Sequence, residues 1–145
     1  MKLKLLEEEL YYDHEKNLIL LDQQIKLPYF KKLIKIRNVL EKRLKNFPIG
    51  CCNETSRIIK KTIGLEEVAG DYIEKNNLIL HAWNYDKENR LYIDLTHDQF
   101  EPFKTKISIF PLNINFLKIY PSYTKMQRRF FFPYLDLDSI IKECL

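Results

Sequence analysis

Three short segments carry residues whose types and spacing suit nucleophilic chemistry. They are Phe47-Pro48-Ile49-Gly50-Cys51-Cys52, His81-Ala82-Trp83 and Ile93-Asp94-Leu95-Thr96-His97-Asp98-Gln99-Phe100. A cysteine attacks as its thiolate, and a helix start favours the thiolate through its exposed N–H groups and dipole. Pro48 and Gly50, followed by a helical pattern, place Cys51 and Cys52 at such a start. On position alone either cysteine also suits a small buried hydrophobe. An imidazole beside the thiol takes its proton and later protonates the leaving group. His81 lies inside the strand-like run Leu78-Ile79-Leu80-His81-Ala82-Trp83, where the alternative is a hydrogen-bonded core histidine. A carboxylate on the far ring nitrogen fixes the tautomer and stabilises the imidazolium. Asp94 lies in the next strand-like run, where an unpaired carboxylate would be costly. A turn over residues 86–89 sets position 94 opposite position 81, with Cβ atoms about 4.5–5.5 Å apart on one face. Of the other histidines, His14 reads as solvated in a polar turn and His97 as a surface or capping residue.

The elements that must position these groups follow from periodicity. Leu10 to Ile25 reads as a hairpin, with the apolar runs 10–12 and 18–21 flanking the polar turn 13–17. Pro28 opens a helix whose stripe is Leu33, Ile36, Leu40 and Leu44, with the lysines and arginines between them facing water. Pro48 and Gly50 end it. A second helix starts near Cys52, buries Ile58, Ile59 and Ile63, and stops at Gly64. Residues 68–73, 78–85 and 90–95 are short segments rich in β-branched and aromatic residues, separated by turn-like pairs and clusters. They predict an antiparallel meander. Residues 106–120 add edge strands, and 137–145 form a closing helix capped by Asp138 or Ser139. Helix, helix and then sheet is the order of an α+β domain. With 145 residues the chain suits a single domain, 1–145.

Composition narrows the function. Apolar residues make up 46% and charged residues 30%, so the chain can build a core without a metal or disulfides. The net charge of +4 is mild, and the basic run Lys31–Lys45 accompanies no nucleic-acid motif, so it reads as a solvated helix face. No nucleic-acid partner is expected. No run reaches the ~18 apolar residues of a membrane span, and Glu7-Glu8-Glu9 interrupts the first apolar residues, so neither membrane nor leader is expected. Three cysteines, two of them adjacent, make a poor disulfide framework and lack the spacing of a structural zinc site. The expectation is a chain that is cytoplasmic, or exported by a route that needs no cleaved signal, with no metal and no cofactor.

The order Cys…His-Ala-Trp…Asp resembles the papain-like/transglutaminase-like superfamily, in which a cysteine opens a helix and His and Asp lie on adjacent strands. More closely, Phe47-Pro48-x-Gly50-x-Cys52-x-x-x-Ser56 with His81-Ala82-Trp83 and Ile93-Asp94-x-Thr96-x-Asp98-Gln99-Phe100 resembles a group of small bacterial proteins of that superfamily. The likeness spans residues 47–100. It implies a papain/transglutaminase-like α+β fold with helices packed on an antiparallel sheet. It puts Cys52 at the nucleophile position and Cys51 at a variable one. It implies a side-chain amide as oxyanion donor: Asn46 is the candidate, with Gln23 and Gln24 more distant, and Trp83 joins Asn46 as a substrate-binding candidate. The activity implied is a Cys52–His81–Asp94 enzyme acting on a protein or small amide substrate through a thioester. Water would make it an amidase, glutamine deamidase or protease, and an amine would make it transglutaminase-like. The chain's size favours a side chain or small substrate over a long peptide. The competing reading is an inactive papain-like fold that binds a protein, with Arg128-Arg129-Phe130-Phe131-Phe132-Pro133-Tyr134 as interface, although these phenylalanines suit closure of the core better. The oligomeric state has no signal in the sequence.

Overall fold

The computed structural model describes residues 19, 21–74, 76–100, 105–111, 119–127, 131 and 135–145. Its elements are α1 (Leu21–Ile25), α2 (Phe30–Arg43), α3 (Cys52–Ile63), β1 (Glu66–Glu74), β2 (Asn77–Asp86), β3 (Leu91–Asp94), β4 (Ser108–Pro111), β5 (Ile119–Pro121), α4 (Tyr123–Gln127) and α5 (Leu137–Cys144). A 3-10 turn, His97–Gln99, follows β3. The five strands form one antiparallel sheet in the order β4-β3-β2-β1-β5. The fold class is thus α+β, as the pattern predicts, with the meander at the centre and the two short strands at its edges.

Alternation along the strands separates two cores. Ile93 and Ile109, which pair across β3 and β4, face α2, α3 and α5 with Leu33, Ile36, Leu40, Ile58, Ile59 and Ile140. The predicted stripe of α2 is buried there in full, Leu44 included. Alternate strand residues, Trp83 and Phe110 among them, form the second core with Tyr72 and Phe100. Helix α3 is fastened across the sheet by Asn84 Nδ2, which donates to the Ser56 carbonyl at 3.0 Å, and by Arg57 with Glu67 at 2.9 Å. It ends at Gly64, whose φ of +88° is the left-handed conformation that lets its N–H reach the Ile59 and Lys60 carbonyls.

Several expectations are corrected. Leu21–Ile25 is a helix and not the second strand of a hairpin. Residues 10–18, and with them His14, lie outside the described residues. Just before α1 the Ile19 N–H does meet the β4 edge at the Ile109 carbonyl, 3.0 Å away. Asp136, and neither Asp138 nor Ser139, caps α5, because its carboxylate accepts the Ser139 N–H at 3.1 Å, the bond an N-cap makes to the third helical residue. Arg37 does not face water: it is 4% exposed. Helix α4 had no signal in the sequence reading.

The register of β2 and β3 also differs from the expectation. Asn84 pairs with Ile93, Tyr85 with Tyr92 and Asp86 with Leu91. The turn is therefore residues 87–90, one step later than predicted. Its cause is local: Asp86 Oδ1 accepts the Asn89 N–H at 3.1 Å, Oδ2 accepts Asn89 Nδ2 at 2.7 Å, and Arg90 takes a positive φ of 56° inside the turn. Continued inward, this register puts Trp83, and not His81, level with Asp94.

Candidate active site

The site lies where β3 stops. Beyond Asp94 the chain leaves the sheet and curls through the 3-10 turn toward the start of α3. Arg37 fixes this curl. Its guanidinium donates to the Leu95 carbonyl at 2.7 Å and, in a two-pronged contact, to Asp98 at 2.8 and 2.7 Å. The same guanidinium sits 4.6 Å over the Phe47 ring. One buried cation thus ties the segment before the cysteines to the segment after the aspartate, and explains a phenylalanine in the first motif. Its remaining charge is met by Glu41 at 2.9 Å.

His81 and Asp94 are both buried, and His81 Nε2 lies 2.6 Å from Asp94 Oδ2. They are diagonal neighbours on one face, two residues out of register, a separation that an imidazole and a carboxylate span. The other carboxylate oxygen, Oδ1, accepts the Thr96 N–H at 2.9 Å and the Thr96 hydroxyl at 3.2 Å. Burial works against a charged carboxylate, but the charge of His81, its hydrogen bond, the nearby His97 and the Thr96 N–H hold Asp94 below its ordinary range. Burial likewise works against a charged imidazole. The Asp94 charge and hydrogen bond, joined by the Cys52 thiol, overcome it and raise His81 from 6.5 to about 10. His81 is further held by rings: Trp83 stacks on it at 5.6 Å, and Phe100 and Tyr72 meet it edge-on at 4.9 and 6.2 Å.

With Nε2 given to Asp94, the free ring atom is Nδ1, which is buried and makes no hydrogen bond of ordinary geometry. Cys52, the first residue of α3, is half-buried and acts on this ring electrostatically from the helix start. Its neighbour differs in every respect. Cys51 is 2% exposed, points its Sγ at the Ile49 carbonyl (3.4 Å), and has its thiol pushed up to about 11 by burial and by the charges of Glu54 and Cys52. Cys144 is buried in the helical core, and all three cysteines are free thiols.

The remaining candidates scatter. Asn46 is exposed in the turn before the cis Phe47–Pro48 peptide, with a positive φ of 65°. Gln24 is buried with its amide committed to the Ile19 carbonyl at 2.8 Å, and Gln23 is exposed. Trp83 forms the wall behind His81, and its Nε1 makes no hydrogen bond. His97 is not at the surface: it is fully buried, with Nδ1 2.7 Å from Ser108 Oγ and its ring beside Tyr72 and Phe110. The 3-10 turn rolls it back over the β3–β4 pair. Asp98, an alternative orienting group for His81, is instead paired with Arg37.

Sequence reasoning missed Gln99, whose Oε1 accepts the Gly50 N–H at 3.4 Å and whose Nε2 is buried without a hydrogen bond. Its only signal was its place in the third motif. Of the aromatic run 128–134, only Phe131 is described; it lies 4.7 Å beneath the Arg57 guanidinium. Among the described residues no group of three or more His, Cys, Asp or Glu is placed to hold a metal ion. No helix among them is long and apolar enough to cross a membrane. No family model, curated protein or solved structure matches the chain.

Proposed function

We propose that this chain is a cysteine-dependent acyl-transfer enzyme acting on amides, with Cys52 as nucleophile, His81 as general acid–base and Asp94 as its orienting carboxylate, on a papain/transglutaminase-like variant of the α+β fold. The observation that carries the reading is the buried His81–Asp94 hydrogen bond at 2.6 Å, which leaves the opposite ring nitrogen for the half-buried thiol at a helix start. A purely structural histidine would be expected to satisfy both ring nitrogens, since a buried polar atom left without a partner is costly.

In this mechanism His81 takes the proton of the Cys52 thiol, the sulfur attacks the carbonyl carbon, and the carbonyl electron pair moves onto oxygen. The tetrahedral adduct collapses, His81 protonates the departing amine, and a thioester remains on Cys52. Water or an amine then attacks the thioester, His81 takes the attacker's proton, and the sulfur leaves. Asp94 holds the ring in the tautomer that aims Nδ1 at the thiol and offsets its positive charge. Trp83 and Phe100 confine the ring's plane. Free thiols suit a reducing, cytoplasmic setting. The triad alone leaves open whether water or an amine resolves the thioester.

The test is covalent trapping. Incubation with a panel of amides and activated esters, followed by intact-mass and peptide mapping, should find a single acyl group on Cys52. Acyl groups on Cys144 or on lysines only, with Cys52 unmodified, would reject the assignment.

A further inference from the structure

The nucleophile and acid–base pair account for proton transfer but not for the negative charge that develops on the carbonyl oxygen. Helix geometry leaves the Cys52 N–H, at the first helical position, without an intrahelical acceptor. One N–H makes a weak oxyanion site, and preorganised donors aimed at the developing charge are usually the largest single contribution to such reactions. The amides expected for the second donor do not suit: Gln24 is committed to Ile19, and Asn46 is exposed in a turn.

Gln99 has the required features. The Gly50 N–H can only donate, so its partner in the Gln99 amide must be the oxygen, and the NH2 group necessarily points the other way. That nitrogen is buried and has no acceptor. Gly50 precedes Cys52 by two residues, a stretch of chain that spans at most about 7 Å, so the amide stands beside the helix start. Its backbone is fixed as well: the Gln99 N–H bonds the Thr96 carbonyl at 3.1 Å, and Arg37 clamps the adjoining Asp98. The buried nitrogens His81 Nδ1, Trp83 Nε1 and Gln99 Nε2, each without a hydrogen bond, fall within the motif segments that frame Cys52. Such groups in a folded protein call for an explanation, and a bound reaction intermediate supplies one.

We propose that the side-chain NH2 of Gln99, held by the Gly50 N–H through its Oε1, is the second oxyanion donor, acting with the Cys52 backbone N–H. The inference rests on the reading of Cys52 as an acyl-accepting nucleophile. When the thiolate adds to the carbonyl carbon, the C=O π pair becomes the oxyanion that Gln99 Nε2 binds. When that pair returns to re-form C=O, the C–N or C–O bond of the leaving group breaks and Gln99 is again without a partner.

Two probes separate this role from the others. Iodoacetamide alkylates a thiolate by displacement at carbon and forms no oxyanion; p-nitrophenyl acetate acylates through one. Wild type, Gln99→Ala and Gln99→Glu are compared at Cys52 with both reagents. The glutamate variant keeps the oxygen that meets Gly50 and the side-chain shape, but replaces the donor with a negative acceptor. The expected result is unchanged alkylation in Gln99→Ala and, in both variants, acylation slowed roughly 100- to 1000-fold more than alkylation. Should Gln99→Ala fail to fold, Gln99→Glu decides alone. Acylation at the wild-type rate overturns the role of Gln99 while leaving the Cys52 nucleophile standing, and so does an equal slowing of both reactions. A wild-type Cys52 that p-nitrophenyl acetate does not acylate overturns the nucleophile itself, and this inference with it.

Discussion

His81 and Asp94 meet across a diagonal of the sheet and not across a pair. The register sets Trp83 level with Asp94, and the 2.6 Å contact is made from His81, two residues back along β2. The offset leaves the indole of Trp83 free to stack on the imidazole at 5.6 Å, so one register supplies both the carboxylate and the ring's backing wall.

The charge state of this pair predicts a pH window. His81 is raised from 6.5 to about 10, so its contribution to stability is complete at low pH, below 6.5, and is lost as pH rises through about 10. Asp94 is lowered, so its contribution is present above its unfolded value of 3.8 and is lost as pH falls through the lower folded value. Urea midpoints should therefore show two flanks, one alkaline and one acidic. The double variant His81→Gln/Asp94→Asn, which carries neither charge, should lack both. Parallel profiles for the two proteins would mean that the pair is not charged in the fold.

Arg37→Met should destabilise the fold by about 3 kcal/mol, because it strands the largely buried Asp98 carboxylate and the Leu95 carbonyl without their donor. Adding Asp98→Leu should recover part of the loss, since removing both charges is far cheaper than removing one. Urea unfolding of the three proteins measures this. A loss below about 1 kcal/mol for the single variant, the range of a surface ion pair, would show that the clamp is not a buried one.

Much of this was legible in the sequence. Apolar stripes fixed α2 and α3, Gly64 marked the helix stop, and β-branched runs gave the meander. His81 and Asp94 could be matched because both sit in apolar strands, where each needs a partner. The register could not be read, because it depends on whether Arg90 joins the turn, and that follows from the Asp86–Asn89 side-chain bonds. The burial of Arg37 and His97 was equally hidden. Each is polar in type, and each is buried only because segments distant in sequence, 95–98 around Arg37 and Ser108 beside His97, supply its hydrogen bonds.

Cys51→Ala should keep acylation by p-nitrophenyl acetate, and Cys52→Ala should abolish it. Cys51 precedes the helix that Cys52 opens, and it is buried, with its Sγ toward the Ile49 carbonyl and its thiol pushed up to about 11. Burst amplitude with the ester reads the difference. Loss of the burst in Cys51→Ala alone would make Cys51 the nucleophile.

The most direct test of the triad is the rate of iodoacetamide alkylation at Cys52 as a function of pH, read by peptide mass spectrometry in wild type, His81→Ala and Asp94→Asn. In wild type, Cys52 should alkylate at neutral pH much faster than it does once His81 is removed. His81→Ala should return it to ordinary thiol behaviour. Asp94→Asn should keep the fold and move the profile part of the way, because the ring loses the carboxylate that favours its charged form. One shared profile for all three proteins would contradict the account, leaving His81 and Asp94 as a structural pair with no hold on the thiol.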